Sequence, residues 1–149
     1  MSSYISNQVH FVWATKNREP SIQPDWQDRM YGYLGGILDH KKCKLLAAGG
    51  IADHVHVLAS LNATVSLAEM AGTLKANSSR WIHETIPGTK DFQWQEGYGA
   101  FSVSKSVEPR VVNYIHTQKE HHGRQSFQNE FLMLLDKHGI AYDDRYLWV

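Results

Sequence analysis

The chain has 149 residues, 42% of them hydrophobic, and its 15 lysines and arginines balance 15 aspartates and glutamates. This length can bury a core without further support, so we expect one domain over residues 1–149. Neutral charge argues against broad, charge-driven binding to duplex DNA, although it allows a local phosphate-binding face. One cysteine, Cys43, excludes an internal disulfide framework, and no window approaches the ~18 apolar residues of a membrane span. These features favour a protein of the cytoplasm.

Extended and helical patterns alternate along the first half of the chain. β-Branched and aromatic residues predict strands, and apolar residues three or four positions apart predict amphipathic helices. The predicted elements are a strand centred on residues 9–13, a helix over about 25–40, strands at 44–51 and 53–60, and a helix over about 66–85. A polar loop separates the first strand from the first helix, and Ser66 is expected to cap the second helix.

The second half of the chain predicts one more strand and two helices. Alternation in the later part of 92–104 predicts the fourth strand. Ser106 is expected to cap a single helix that has Pro109 in its first turn and ends near Gly123. Another helix is expected over about 126–138.

The order β-α-β-β-α-β most economically forms an α+β, ferredoxin-like sandwich. Such a fold has a central antiparallel sheet and two crossover helices on one face, and this chain adds C-terminal helices. The first and third strands then lie side by side in the middle of the sheet, so the third strand would be a rigid platform for a site.

Two histidines mark that third strand. Successive side chains of a strand point to opposite faces, so His54 and His56 project from the same face. Two imidazoles on one half-buried face either bind a metal ion or an anion, or form ordinary hydrogen bonds inside the fold. Because the chain has nine histidines, the strand alone leaves both interpretations open.

A tyrosine and a glutamine share one face of the helix after the fourth strand. Tyr114 and Gln118 are four residues apart, so they stand one turn from each other. Spacing alone favours an ordinary structural explanation, in which the aromatic ring packs and the amide forms a hydrogen bond at the rim.

Three stretches in this order carry a resemblance: Asp53-His54-Val55-His56, the aromatic stretch 92–104 that contains Trp-Gln-Glu-Gly-Tyr, and Tyr-Ile-His-Thr-Gln at 114–118. Together they resemble the single-tyrosine HUH transposases of small bacterial insertion sequences and their REP-associated relatives. The resemblance covers nearly the whole chain, and every motif position is present.

The resemblance implies a site and a reaction. His54, His56 and Gln118 would hold a divalent ion, and Tyr114 would be the catalytic nucleophile. The enzyme would cleave and rejoin single-stranded DNA at insertion-sequence ends through a 5′-phosphotyrosine intermediate, without a nucleotide cofactor. Nitrogen and amide-oxygen ligands without thiolate suit an exchangeable Mg²⁺ or Mn²⁺ better than a closed zinc site.

The resemblance also implies partners. The DNA would carry hairpin ends, and the protein would form a homodimer in which the tyrosine helix can serve the partner's metal site. Candidate DNA-binding residues are lysines for phosphates and aromatic residues for stacking on unpaired bases: Lys41, Lys42, Lys44, Trp94 and Tyr98. Ordinary structural roles compete with each of them, since lysines in a run are usually solvated and a tryptophan is more often a core residue.

Three alternatives stay open. A domesticated relative could nick or bind hairpin repeats in its host genome with the same residues. A non-enzymatic hairpin-binding module would use Tyr114 only for stacking. A small metal enzyme of the cupin type also uses His-x-His, but the abundance of predicted helix disfavours it.

Overall fold

A four-stranded antiparallel sheet lies in the middle of the computed structural model, which describes residues 1–123 and 125–149. The elements are β1 (Gln8–Ala14), α1 (Pro24–His40), β2 (Lys44–Ile51), β3 (His54–Ser60), α2 (Leu67–Thr85), β4 (Gly99–Val103), α3 (Glu108–His116), α4 (Gln118–His122) and α5 (Phe127–Lys137). The strand order is β2-β3-β1-β4. The α+β sandwich and the central position of β1 and β3 are therefore confirmed.

The register of β1 against β3 divides the sheet into two faces. Val12 lies opposite His56 and Ala14 opposite His54, whereas Trp13 lies opposite Val55. Because neighbours across an antiparallel pair share a face, both histidines point away from the face that carries Trp13.

The crossover helices α1 and α2 cover the face that carries Trp13. Their apolar stripes pack with alternate residues of β1 and β3 into the largest core cluster of the protein. Trp94, in the loop before β4, joins this core and donates its Nε1 hydrogen to Ser78 Oγ at 2.9 Å. This half of the protein is a conventional hydrophobic layer.

The helices α3, α4 and α5 cover the histidine face. Leu58 and Ile115 are fully buried between this face and α3. The approach is close at Gly49, because an added Cβ there would lie 2.2 Å from the backbone oxygen of Ile115. A glycine on β2 is therefore what lets α3 rest directly on the sheet.

One helix prediction is wrong in its start and its continuity. Ser106 does not cap a helix: its Oγ lies 3.0 Å from Ser104 Oγ, and α3 begins after Val107 without a side-chain cap. The predicted helix also divides at Thr117, whose backbone angles are φ −107° and ψ 26°. Ser66, in contrast, caps α2 as predicted.

Two further features complete the fold. A short 3₁₀ turn at Lys16–Arg18 lies within the predicted loop between β1 and α1. Across the described residues, none of the helices combines the length and the apolar character that crossing a lipid bilayer requires.

Candidate active site

Both histidines of β3 are completely buried at the centre of the histidine face. His54 and His56 have no solvent-exposed area, and neither does Glu130 of α5. Polar groups in such a position need partners, since an unpaired buried polar group is costly. The partners come from β1, α3, α4 and α5, and from Asp53 in the turn before β3.

Four side chains bring potential metal-ligating atoms together. One atom from each lies within 4.8 Å of every other, and the residues are His54, His56, His122 and Glu130. Three imidazole nitrogens and a carboxylate oxygen are typical ligands of divalent metal ions. The cluster can therefore hold a metal ion.

Outer hydrogen bonds determine which nitrogen of two imidazoles faces inward. His54 donates its Nδ1 hydrogen to Asp53 Oδ1 at 2.7 Å. His122 likewise donates its Nδ1 hydrogen to the backbone oxygen of Gln125 at 2.8 Å. With the hydrogen on Nδ1, each neutral ring turns the lone pair of its Nε2 toward the cluster.

Those lone pairs face other lone pairs. Gln118 Oε1 lies 3.0 Å from the Nε2 atoms of both His54 and His122. Glu130 Oε1 lies 3.5 Å from His54 Nε2 and 3.2 Å from His122 Nε2. When both rings are neutral, these four acceptor atoms have no hydrogen between them and repel one another. A metal ion among them removes this conflict, and in the metal-free site a proton on His122 Nε2, donated to Glu130, does so. This set of ligand atoms therefore fits a bound divalent ion.

Glu130 stays ionised within this cluster. Burial alone would raise the pKa of its carboxyl, but hydrogen bonds from His122, His56 and Tyr114 outweigh burial and hold that pKa well below its usual range. Burial also lowers the pKa of His122, yet the hydrogen bond and charge of Glu130 reverse this and leave it raised. The carboxylate is thus the fixed negative charge of the site.

His56 is held between Glu130 and a histidine of β1. Its Nε2 hydrogen is donated to Glu130 Oε1 at 3.0 Å, so its Nδ1 accepts from His10 Nε2 at 2.8 Å. Burial lowers the pKa of His56 from 6.5 to about 4, although Glu130 opposes the shift. A neutral imidazole is the form that can ligate a metal ion.

Tyr114 lies beside the cluster on α3. Its hydroxyl donates a hydrogen bond to Glu130 Oε2, whereas His56 bonds to the other carboxylate oxygen, Oε1. Burial and the adjacent carboxylate raise the pKa of the phenol well above its usual value. Gln118 donates its Nε2 hydrogen to the backbone oxygen of Tyr114 at 3.3 Å, which fixes the amide so that Oε1 faces the histidines.

Comparison with known families decides what kind of protein carries this site. The family described as transposase IS200-like matches residues 3–118. The chain belongs to this family.

Two curated transposases and one solved structure show how far the likeness extends. The transposase of insertion sequence IS200 from Salmonella typhimurium is 27% identical over 119 residues, which cover 76% of this chain and 77% of that protein. The ISDra2 transposase TnpA of Deinococcus radiodurans is 22% identical over 118 residues, which cover 76% of this chain and 84% of that protein. A REP-associated tyrosine transposase bound to a REP hairpin is 17% identical, has a TM-score of 0.61 and covers 83% of this chain and 75% of its own.

The transposase brings together the residues predicted from its motifs. His54, His56, Gln118 and Tyr114 all meet at one place on the histidine face, and one chain supplies them all. The catalytic and metal-binding roles given to them remain predictions.

The five predicted DNA-binding residues lie away from the cluster around His54 and His56. Lys44 pairs with Ser60, six residues along β3 from His54, about 20 Å in an extended strand. Trp94 is 9% exposed within the core, whereas Tyr98 is 37% exposed.

Two residues of the cluster were not predicted as ligands. Glu130 lies outside the residues that match the family, and before folding it is an ordinary helical glutamate. His122 falls one turn after Gln118, so the same helical spacing that singled out Tyr114 and Gln118 could have included it.

Proposed function

We propose that this transposase cleaves and rejoins single-stranded DNA through a covalent bond between Tyr114 and the 5′ phosphate. The observation that carries the proposal is the shared carboxylate. One oxygen of Glu130 accepts the hydrogen bond of the Tyr114 hydroxyl, and the other faces the imidazoles of His54, His56 and His122. A nucleophile and a cation-binding cluster therefore lie next to each other, as phosphoryl transfer requires.

The side chains would act as follows. The Tyr114 oxygen attacks phosphorus, and the bond between phosphorus and the 3′ oxygen breaks. The phenolic hydrogen passes by way of Glu130 to the departing 3′ oxygen, so that a 3′-hydroxyl is left and Glu130 ends ionised. The phosphotyrosine bond conserves the energy of the broken bond. Rejoining is the reverse attack by a 3′-hydroxyl, which needs no nucleotide cofactor.

A divalent ion is part of the proposal. His54, His56 and Gln118 would hold it, and the geometry supports adding His122 and Glu130. When bound, the ion would offset negative charge on the phosphate oxygens in the transition state. Mg²⁺ prefers oxygen ligands, so a set with three imidazoles favours Mn²⁺ over Mg²⁺.

Hairpin DNA and distant phosphate contacts complete the proposal. A solved relative is described as bound to a REP hairpin, which supports a hairpin substrate here. Lys41, Lys42 and Lys44 would contact the hairpin's phosphates away from the tyrosine. Exposed Tyr98 remains available for stacking, whereas buried Trp94 would need the core to open.

We also propose a homodimer. Within one chain the rings of Tyr114 and His56 have centroids 5.7 Å apart, so a single subunit can form the site in cis. Exchange between subunits would require α3 and α4 to leave their own sheet. A mixed dimer of His56→Ala and Tyr114→Phe chains separates these cases, because cleavage returns only if active sites form in trans.

A denaturing gel tests the chemistry. The protein is incubated with labelled single strands from both sides of its own gene, with Mn²⁺ or Mg²⁺. A covalent protein–DNA band is expected for wild type and for the control Tyr146→Phe, whose tyrosine is exposed in the C-terminal tail, but not for Tyr114→Phe. If hairpins bind without any adduct, the protein is a binding module and the proposed chemistry is wrong.

The metal cluster has a test that does not depend on cleavage. Mn²⁺ binding is followed by electron paramagnetic resonance in wild type, Glu130→Gln and the exposed control Glu120→Gln. Loss of a ligand or its supporting partner is expected to weaken affinity about 10- to 100-fold in Glu130→Gln only. Equal affinities in all three proteins would remove Glu130 from the site.

A further inference from the structure

A second feature adjoins the tyrosine: a cavity of about 440 Å³ between α3 and α5. Tyr114 forms part of its wall, and so does His10, the residue that hydrogen-bonds to His56. The ring centroids of His10 and Tyr114 are 6.4 Å apart. The cavity therefore adjoins the cluster of His54, His56, His122 and Glu130, because its wall includes one hydrogen-bonding partner of His56 and one of Glu130.

The walls of the cavity are mostly apolar and aromatic. Phe101 lies on its floor, and Val111 and Leu134 contribute from α3 and α5. Met133 stands at the edge and is 49% exposed. Flat apolar surfaces next to an aromatic ring are what an unpaired nucleobase stacks on, and the volume lies in the range of small-molecule sites.

Charge at the rim distinguishes this cavity from an ordinary apolar groove. Arg110 and Lys137 line it from opposite helices, and both are exposed. The lining contains no aspartate or glutamate. Within residues 1–123 and 125–149, neither cation forms an ion pair. Two unpaired cations with no compensating acid suit an anionic backbone.

We propose that this cavity binds one nucleotide of the cleaved strand next to the scissile phosphate. The base enters the apolar interior, and Arg110 and Lys137 contact the phosphates on either side of it. This inference rests on the proposed function, since it places the strand beside Tyr114. It assigns a DNA-binding role to α5, whose residues lie beyond the part of the chain that matches the family.

Salt dependence tests the two cations. Binding of fluorescent (dT)₁₂ is measured by anisotropy in EDTA, so that no strand is cut. Arg110→Gln/Lys137→Gln removes one arginine and one lysine, and Arg80→Gln/Lys90→Gln removes the same two residue types at exposed positions outside the cavity.

Two phosphate contacts predict a logarithmic salt slope lower by about 1.4, so wild-type affinity should fall about sevenfold more between ~50 and ~200 mM salt than that of the cavity variant. The control pair should follow wild type. If both pairs behave alike, the cations act only as diffuse charge and the inference is wrong.

Larger side chains that fill the cavity test whether a base binds inside it. Met133→Trp enlarges a half-exposed edge residue, and Leu67→Trp is the control on α2, where Leu67 is 43% exposed. Loss of one stacked base should weaken (dT)₁₂ binding at least about fivefold for Met133→Trp and leave the control unchanged. Val111→Phe, which fills the same cavity from α3, should repeat the loss. Unchanged binding in both filled variants, with each shown to be folded by circular dichroism, would overturn the inference.

Failure of the inference is distinct from failure of the proposed function. Covalent adducts formed equally well by the filled variants would refute the cavity and keep the chemistry. Binding that depends on the cavity, without any adduct to Tyr114, would keep the cavity and refute the chemistry.

Discussion

Acid should destabilise the metal-free protein through His56. Burial lowers the pKa of this imidazole from 6.5 to about 4. The unfolded chain therefore takes up a proton near pH 6.5, whereas the folded chain resists it until about pH 4. Between these values the unfolded state binds more protons, so stability is lost as the pH falls.

The pKa difference sets the size of the effect. Linkage gives a loss of about 2 kcal/mol from His56 between pH ~7.5 and pH ~5. His122 acts in the opposite direction, because its raised pKa gives stability that is present below pH ~6.5 and lost as the pH rises through the folded value. His10 acts in the same direction as His56, because burial also lowers its pKa. The wild type alone thus reports the sum of all three effects.

Comparison with a variant isolates His56. Urea unfolding in EDTA at the two pH values is measured for wild type, His56→Gln and His116→Gln, whose histidine is exposed on α3. On acidification, the free energy of unfolding should fall by about 2 kcal/mol more in the wild type and in the His116→Gln control than in His56→Gln. The same loss in all three proteins would refute the assignment of His56 as a buried neutral imidazole.

Two packing predictions concern the faces of the sheet. Gly49→Ala should destabilise the fold by more than about 2 kcal/mol and reduce adduct formation, since the new Cβ would lie 2.2 Å from the Ile115 backbone oxygen. Gly72→Ala, which meets nothing within 4 Å, should instead stabilise α2 by about 1 kcal/mol; thermal unfolding compares the pair. Ser78→Ala leaves the Trp94 indole hydrogen without its acceptor and should cost about 1–3 kcal/mol in urea unfolding. Adduct formation should be unaffected, and a stable Ser78→Ala protein would mean that the indole finds another partner.

Local patterns were sufficient for most of the fold. The period of two in β3 places His54 and His56 on one face whatever the rest of the chain does. The order of the elements then determines that β3 is central, because few topologies connect them economically. Ser106 was predicted incorrectly because two serines in one turn can bond to each other instead of to a helix terminus.

Long-range contacts explain what the motifs missed at the site. Glu130 is separated by 74 residues from His56, its hydrogen-bonding partner. No local spacing links a glutamate on α5 to a strand that distant, and only the packing of α5 over the histidine face brings them together. Tyr114 and Gln118 were predicted on one continuous helix; the break at Thr117 still leaves them in contact, so the error in the helix did not affect the pair.

The cluster of His54, His56, His122 and Glu130 draws its residues from distant parts of the chain, and this affects when it can form during protein synthesis. The histidine pair is translated well before α3 and α4, and Glu130 follows later still, on α5. Until the ribosome has released α5, a nascent chain has the histidines without the carboxylate that holds Tyr114 and His56. The order of translation therefore delays assembly of the full cluster until nearly all of the described chain has been made.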